Sequence, residues 1–324
     1  MIRHALQFIL LISALPMTAV AQAQGSYPQR PIRIVVPVPP GGILDVVTRL
    51  LGQKVTEQTG HTVIVDNRSG GLTNVGSEMV ARSAGDGHTL LSQTLPMVVN
   101  PALFVKMPYR YDRDLVAVSQ IVTSPYLLVV HPSVPAKSVR ELIVVARAQP
   151  GKISYATSGT GSNLHMAVAL FNTMTGTQML HIPYKGGGPA LGAVVGGEAD
   201  LSVLSATAVM PHVSSGRLRA LAITSTKRMP ALQQFPTIAE SGVPGYEFGS
   251  WVGILAPSST PTALVNDINA MLVKATRSPD LAARFSKDAT LAVGSTPAQF
   301  ADFIKAEAAR WSKVVRESNM KVDT

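Results

Sequence analysis

The sequence predicts an α/β protein of two lobes, each built on a mostly parallel sheet. Two observations point there. A β-branched run, a glycine-rich turn and an amphipathic helical stretch follow one another over residues 32–51, 63–80, 153–171 and 181–195. Strands alternating with helices in this way build parallel, doubly wound sheets. The chain of 324 residues also exceeds what one hydrophobic core usually organises, so two domains or lobes are expected.

Taken in order, Ile32 to Val38 reads as a buried strand, and Leu44, Val47, Leu51 and Val55 then recur at helical spacing. Val63, Ile64 and Val65 form a second strand, with Val75, Met79 and Val80 on its helix. Leu90 and Leu91 begin a third, ending near Thr94. Tyr126 to Val130 is a strong strand, followed by a helix from Ser138, an N-cap with Glu141 three residues on as a capping box. Further strands are read at 199–203, 218–224 and 251–255, with a loop at 242–249. The C-terminal part is helical, with Ile268, Leu272, Phe300, Ile304, Trp311 and Val315 on core-facing stripes.

The first residues predict export. Arg3 and His4 make a polar start, residues 8–15 an apolar run, and Ala21, Gln22 and Ala23 a small-x-small cleavage site. The run is far shorter than the ~20 residues of a membrane span, so 1–23 reads as a signal peptide. The sequence contains no cysteine. That excludes disulfides, thiolate catalysis and zinc–sulfur sites, and an exported chain without disulfides fits the bacterial periplasm. The formal charge of +9 becomes +8 when Arg3 leaves with the leader. Lys and Arg are scattered without runs or interleaved aromatics, so nucleic acid is not an expected partner. A diffuse positive field attracts small carboxylates and serves solubility equally well.

The glycine turns carry the chemistry. Each aims free backbone N–H groups and the positive end of a helix dipole at whatever lies above it. The first is Pro39, Pro40, Gly41 and Gly42, with Asp45 in the next helical turn. Asp45 is read as satisfying its own helix terminus or as facing a ligand ammonium group. The second runs Ser69, Gly70, Gly71, Leu72, Thr73, Asn74. The third, Thr157, Ser158, Gly159, Thr160, Gly161, Ser162 and Asn163, adds hydroxyls. In the fourth, Tyr184, Lys185 and the glycines 186–188, Lys185 either adds charge or sits in solvent. Hydrogen bonds to a charged group contribute about 1.5–3 kcal/mol each. Four or five therefore suffice for micromolar binding, about 8 kcal/mol, if the site is preorganised.

Catalytic motifs are missing. There is no G-x-S-x-G elbow and no H-E-x-x-H, and no two histidines share metal-ligand spacing on one helix. His165, just past the third turn, is read as a capping or packing histidine or as a ligand contact. No metal and no cofactor is expected.

The same loops give the chain a family likeness. Its markers are segment 34–42, Ile-Val-Val-Pro-Val-Pro-Pro-Gly-Gly, with Asp45 and Arg49; Asn67 and Arg68 with Gly70 and Gly76; and 86–90, Asp-Gly-His-Thr-Leu. They continue with 150–152, 158–162, 181–186, 219–222, Pro236 with Thr237, Glu240 and Gly242, and Trp251 with Ala256 and Pro257. With these the chain resembles the Bordetella uptake gene (Bug) family, periplasmic receptors that include the binding component of tripartite tricarboxylate transporters.

The resemblance implies a type II-like, Venus-flytrap binding protein with crossovers near Ser124 and Gly249. Lobe 1 is then 24–124 with 250–324, and lobe 2 is 125–249. The resemblance also implies that a small organic acid is held through loop amides, hydroxyls and ordered water, with contacts from Val38, Pro39, Gly41, Gly42, Gly71, Thr73, Asn74, Thr157, Ser158, Thr160, Gly161, Ser162 and Tyr184. Thr94 and Ser205 contribute from strand ends. Val38 stands where the family often has an aromatic, and segment 69–73 where it often has Pro-Gly-Ala-Gly-Gly, which reshapes one wall. The expected protein is a monomeric receptor delivering its ligand to membrane permease subunits. The alternatives are an exported hydrolase or isomerase using His165 and Ser162, or a sensor signalling to a membrane partner.

Overall fold

The computed structural model describes residues 27–318 and 320, so the expected signal peptide lies outside the described residues. The chain opens with β1 (Ile32–Val36), α1 (Ile43–Thr59), β2 (Val63–Asn67), α2 (Asn74–Ala81), β3 (Thr89–Gln93), α3 (Pro96–Leu103) and the short α4 (Tyr111–Asp114). A long β4 (Leu115–Val130) leads to α5 (Val139–Ala148), β5 (Ser154–Thr157), α6 (Asn163–Thr175), β6 (Leu180–Pro183) and α7 (Gly187–Val195). Then come β7 (Leu201–Ser205), α8 (Ala206–Ser214) and β8 (Arg219–Ile223). The chain returns through β9 (Gly249–Pro257) to α9 (Thr262–Thr276), α10 (Pro279–Lys287), β10 (Leu291–Ala292) and α11 (Pro297–Glu317).

These strands join in the order β2-β1-β3-β9-β4-β7-β5-β6, with β8 and β10 also paired to β4. Both flanks are parallel: β1 with β2 and β3, β5 with β6 and β7. Every pairing of β4 and β9 is antiparallel. The two-lobed α/β architecture is the expected one, but its sheets are mixed rather than mostly parallel. The reason is connectivity: β4 and β9 pass between the lobes in opposite directions and insert beside the parallel strands.

β4 serves both lobes. At about 3.3 Å per residue its length is about 50 Å. Residues 115–125 pair with β9, and Tyr126 to Val130 pair with β7 and β8. The first half escapes sequence reading because Ser119, Gln120 and Ser124 interrupt its apolar alternation. All three are buried: Ser119 Oγ donates to the Ser295 carbonyl, the backbone N–H of Gln120 donates to Ser295 Oγ, and Ser124 Oγ pairs with Thr290 Oγ1.

Strand alternation sorts the core into two layers. Ile32, Ile34 and Val36 pack with Leu51, Ile268 and Leu272 on one face of β1, while Val35 and Leu91 face α3 and α11 on the other. That second layer runs on into Leu127, Val129, Phe171 and Tyr246, so the lobes share it. A Cβ on Gly253 of β9 would lie 2.0 Å from the Phe300 ring, so only glycine lets α11 lie against the crossover. Among the described residues no helix is long and apolar enough to cross a membrane.

Candidate ligand-binding site

The first two turns are braced from within their own lobe. Asp45 is buried; its carboxylate accepts from the Gly41 N–H (3.0 Å), Arg49 Nε (3.0 Å) and Asn67 Nδ2 (2.9 Å). Burial opposes ionisation, yet these bonds and the Arg49 charge hold the Asp45 carboxyl below the ordinary carboxylate range. Asn67 also donates to the Val38 carbonyl, clamping the turn from outside. Asp45 is thus the helix-terminus residue of the two readings. Pro39 to Gly42 stay exposed, and nothing lies within 4 Å of a Cβ on Gly41 or Gly42.

The second turn is held by two buried amides. Gln93 Nε2 donates to Thr73 Oγ1 (3.0 Å) and Ser77 Oγ (2.9 Å), and its Oε1 accepts from the Thr94 N–H. Asn100 Nδ2 donates to the Leu72 carbonyl and to Asn74 Oδ1. Leu72 and Thr73 take φ of 50° and 76°, the left-handed region that costs a residue with a Cβ about 1–2 kcal/mol. Tertiary hydrogen bonding from Gln93 and Asn100 holds this strained backbone. These two residues carry no motif of their own, and sequence reading missed them.

The third turn caps α6. Ser162 Oγ accepts from the His165 N–H, and the Gly161 N–H donates to His165 Nδ1. The His165 ring stacks on His181 at 3.9 Å between centroids, and His181 stacks on Tyr155. His181 Nε2 lies 2.6 Å from Thr157 Oγ1. Burial, and then the neighbouring His181, push His165 down to about 3; burial pushes His181 down to about 4. Both are neutral near pH 7. Thr160 and His165 border a groove of about 830 Å³ that also touches His181, Asn172 and Met320. Tyr184 joins the third turn through its N–H on the Thr157 carbonyl.

The third turn reaches the central strands at Asn163, which begins α6. Its Nδ2 donates to Ser250 Oγ at 2.8 Å and lies 3.4 Å from both Thr94 Oγ1 and the Tyr126 hydroxyl. Thr94 follows β3, Tyr126 is in β4 opposite Ser205, and Ser250 is in β9. Asn163 therefore ties α6 to two strands, β4 and β9, and to the residue that follows β3. Of the residues named from the sequence, Thr94 touches Asn163 directly, Ser205 pairs with Tyr126 across the sheet, and Thr73 reaches Thr94 through Gln93. Gly41, Gly42, Gly187 and Gly188 are exposed, and Val38 and Gly186 are half-buried. Sequence reading counted Asn163 in the third turn but not among the ligand contacts, and passed over Tyr126 and Ser250. Among the described residues no three metal-ligating side chains come together.

Residues 47–320 match the model of the tripartite tricarboxylate transporter family receptor. Protein BugT of Bordetella pertussis is 37% identical over 299 residues, 92% of this chain and 92% of that protein. A solved R. palustris protein with adipate superposes with a TM-score of 0.85 at 34% identity, covering 91% of this chain and all (100%) of that one. MatC from Rhodopseudomonas palustris with bound malate gives 0.81 at 30% identity, covering 89% and 100%. The chain belongs to the tripartite tricarboxylate transporter receptor family, the group that includes the Bug proteins.

Proposed function

We propose that the protein is a periplasmic receptor that captures a small organic carboxylate between its lobes. The observation that carries this reading is the convergence on Asn163. A helix N-terminus meets the neutral hydroxyls of Thr94, Tyr126 and Ser250, with no lysine or arginine among the groups that Asn163 contacts. Such a site stabilises an anion through oriented N–H groups and the helix dipole. The relatives holding adipate and malate support the ligand class. The family consists of binding receptors rather than enzymes, which leaves the hydrolase alternative without support.

The finer parts of the reading are also proposals. The lobes are 24–124 with 250–324 and 125–249, supported by the change of β4 partners between Pro125 and Tyr126. Residues 1–23 are a cleaved leader. The mature monomer closes on its ligand by hinge motion and hands it to permease subunits in the membrane. The ligand contacts are the loop residues from Val38 to Ser205 named from the sequence.

The test is a thermal-shift screen of mature protein, stripped of bound ligand by unfolding and refolding, against aliphatic, aromatic and amino-acid carboxylates. A saturable rise in melting temperature with one class is expected. A folded sample that responds to no carboxylate would overturn the reading.

A further inference from the structure

We propose that Asn163 makes the site selective for carboxylates bearing a hydroxyl or ammonium group on the carbon next to the carboxylate. The proposal rests on the carboxylate-receptor reading above.

Asn163 is 7% exposed, and its side-chain amide is used on one edge only. Nδ2 serves Ser250, with Thr94 and Tyr126 beside it, whereas Oδ1 is buried and has no hydrogen-bond partner. An acceptor shut away from water and left unpaired is a standing penalty. Its neighbours are neutral: Thr94, Tyr126, Ser162 and Ser250. As the amide is oriented, no donor of the chain pairs with Oδ1, which leaves it to a donor on the ligand.

The backbone of the same residue presents the opposite polarity. Among the described residues the N–H groups of Asn163 and Leu164, the first two of a helix of 13 residues, have no acceptor, while the next, His165, is satisfied by Ser162. One residue therefore offers a donor, its own N–H, and an acceptor, its Oδ1, a few bonds apart. A 2-hydroxy or 2-amino carboxylate carries the mirror set. Its carboxylate oxygen accepts from the helix N–H groups, and the adjacent O–H or N–H donates to Oδ1. A plain acid fills the first half and leaves Oδ1 unpaired. Sites built to hydrogen-bond a ligand donor discriminate against analogues that lack it for this reason.

The experiment is calorimetric titration of the stripped mature protein with matched pairs: malate against succinate, 2-hydroxyglutarate against glutarate, mandelate against phenylacetate, and aspartate beside the first pair. In every pair that binds, the donor-bearing acid is expected to be about 10- to 100-fold tighter. Asn163→Leu should lower that ratio below about 3-fold, with its folding checked by apo melting. If that variant does not fold, the wild-type ratios alone decide. Equal affinities within the wild-type pairs, as when water satisfies Oδ1, would overturn the proposal while leaving the receptor reading intact. Binding of no acid at all would overturn both.

Discussion

Leu103, the last residue of α3, rests against Gly161 in the turn before α6: a Cβ on Gly161 would lie 2.4 Å from Leu103 Cδ1. One residue precedes the shared strand β4 and the other belongs to the β5–β6 region, so the lobes touch here. Gly161 also has φ of 77°, and its N–H is already taken by His165. Glycine at this position serves the approach of the opposite lobe as well as the turn.

Gly161→Ala is therefore expected to weaken ligand binding by about 10-fold or more, since the added methyl must push Leu103 aside at a cost of about 1–3 kcal/mol. Leu103→Ala placed on top should recover part of that loss. Titration of both variants checks this, and a double variant no better than Gly161→Ala alone would place the whole effect in the turn's backbone.

Gln93→Leu should destabilise the protein by about 2–4 kcal/mol. It leaves Thr73 Oγ1, Ser77 Oγ and the Thr94 N–H without their partner. Denaturant unfolding measures the loss. Because Thr94 touches Asn163 and Thr73 reaches Thr94 through Gln93, ligand affinity should fall with it.

Acid should act through His165. Its folded pKa, about 3, lies below the ordinary value of 6.5, so the unfolded chain takes up the proton first. The stability it contributes is present above pH 6.5 and lost progressively as pH falls toward 3, on the order of a few kcal/mol in all. His165→Phe loses the Gly161 hydrogen bond and should be less stable than wild type at pH 7. That gap should close or reverse by pH 4 in melting curves.

Glu307 works in the opposite direction. Its buried carboxylate accepts from both tryptophans of the chain, Trp251 Nε1 at 3.3 Å and Trp311 Nε1 at 2.9 Å. Burial raises its pKa above the ordinary 4.5, against the indole bonds and Arg310, with Glu247 adding to the rise. The folded state keeps the proton longer, so this group's contribution to stability falls as pH climbs from 4.5 through the raised value. Tryptophan fluorescence should report that titration directly, and Glu307→Gln should abolish it.

Much of this protein is legible without coordinates because its signals are local. Glycine turns after β-branched runs located β1, β2, β5 and β6 to within a residue or two. The Ser138 cap is present, although Glu141 returns its bond to the Lys137 N–H rather than to the cap residue. The first half of β4 was not legible, since the buried Ser119 and Gln120 look like loop residues until Ser295 arrives from far along the chain.

The sequence by itself determined the α/β class and the four loops, which follow from periodicity and turn chemistry within about 20 residues. The expectation of two lobes came from length, and the family likeness from motifs spread over residues 34–257. Only the tertiary structure decided which polar groups serve the scaffold and which remain free. Asp45 and His165 are absorbed by their own loops, while Asn163, with nothing but its place at α6 to mark it, joins two strands and the residue after β3 and keeps one buried oxygen unpaired. A hydrogen bond is satisfied or not by partners distant in sequence, and that accounting closes only when the chain is folded.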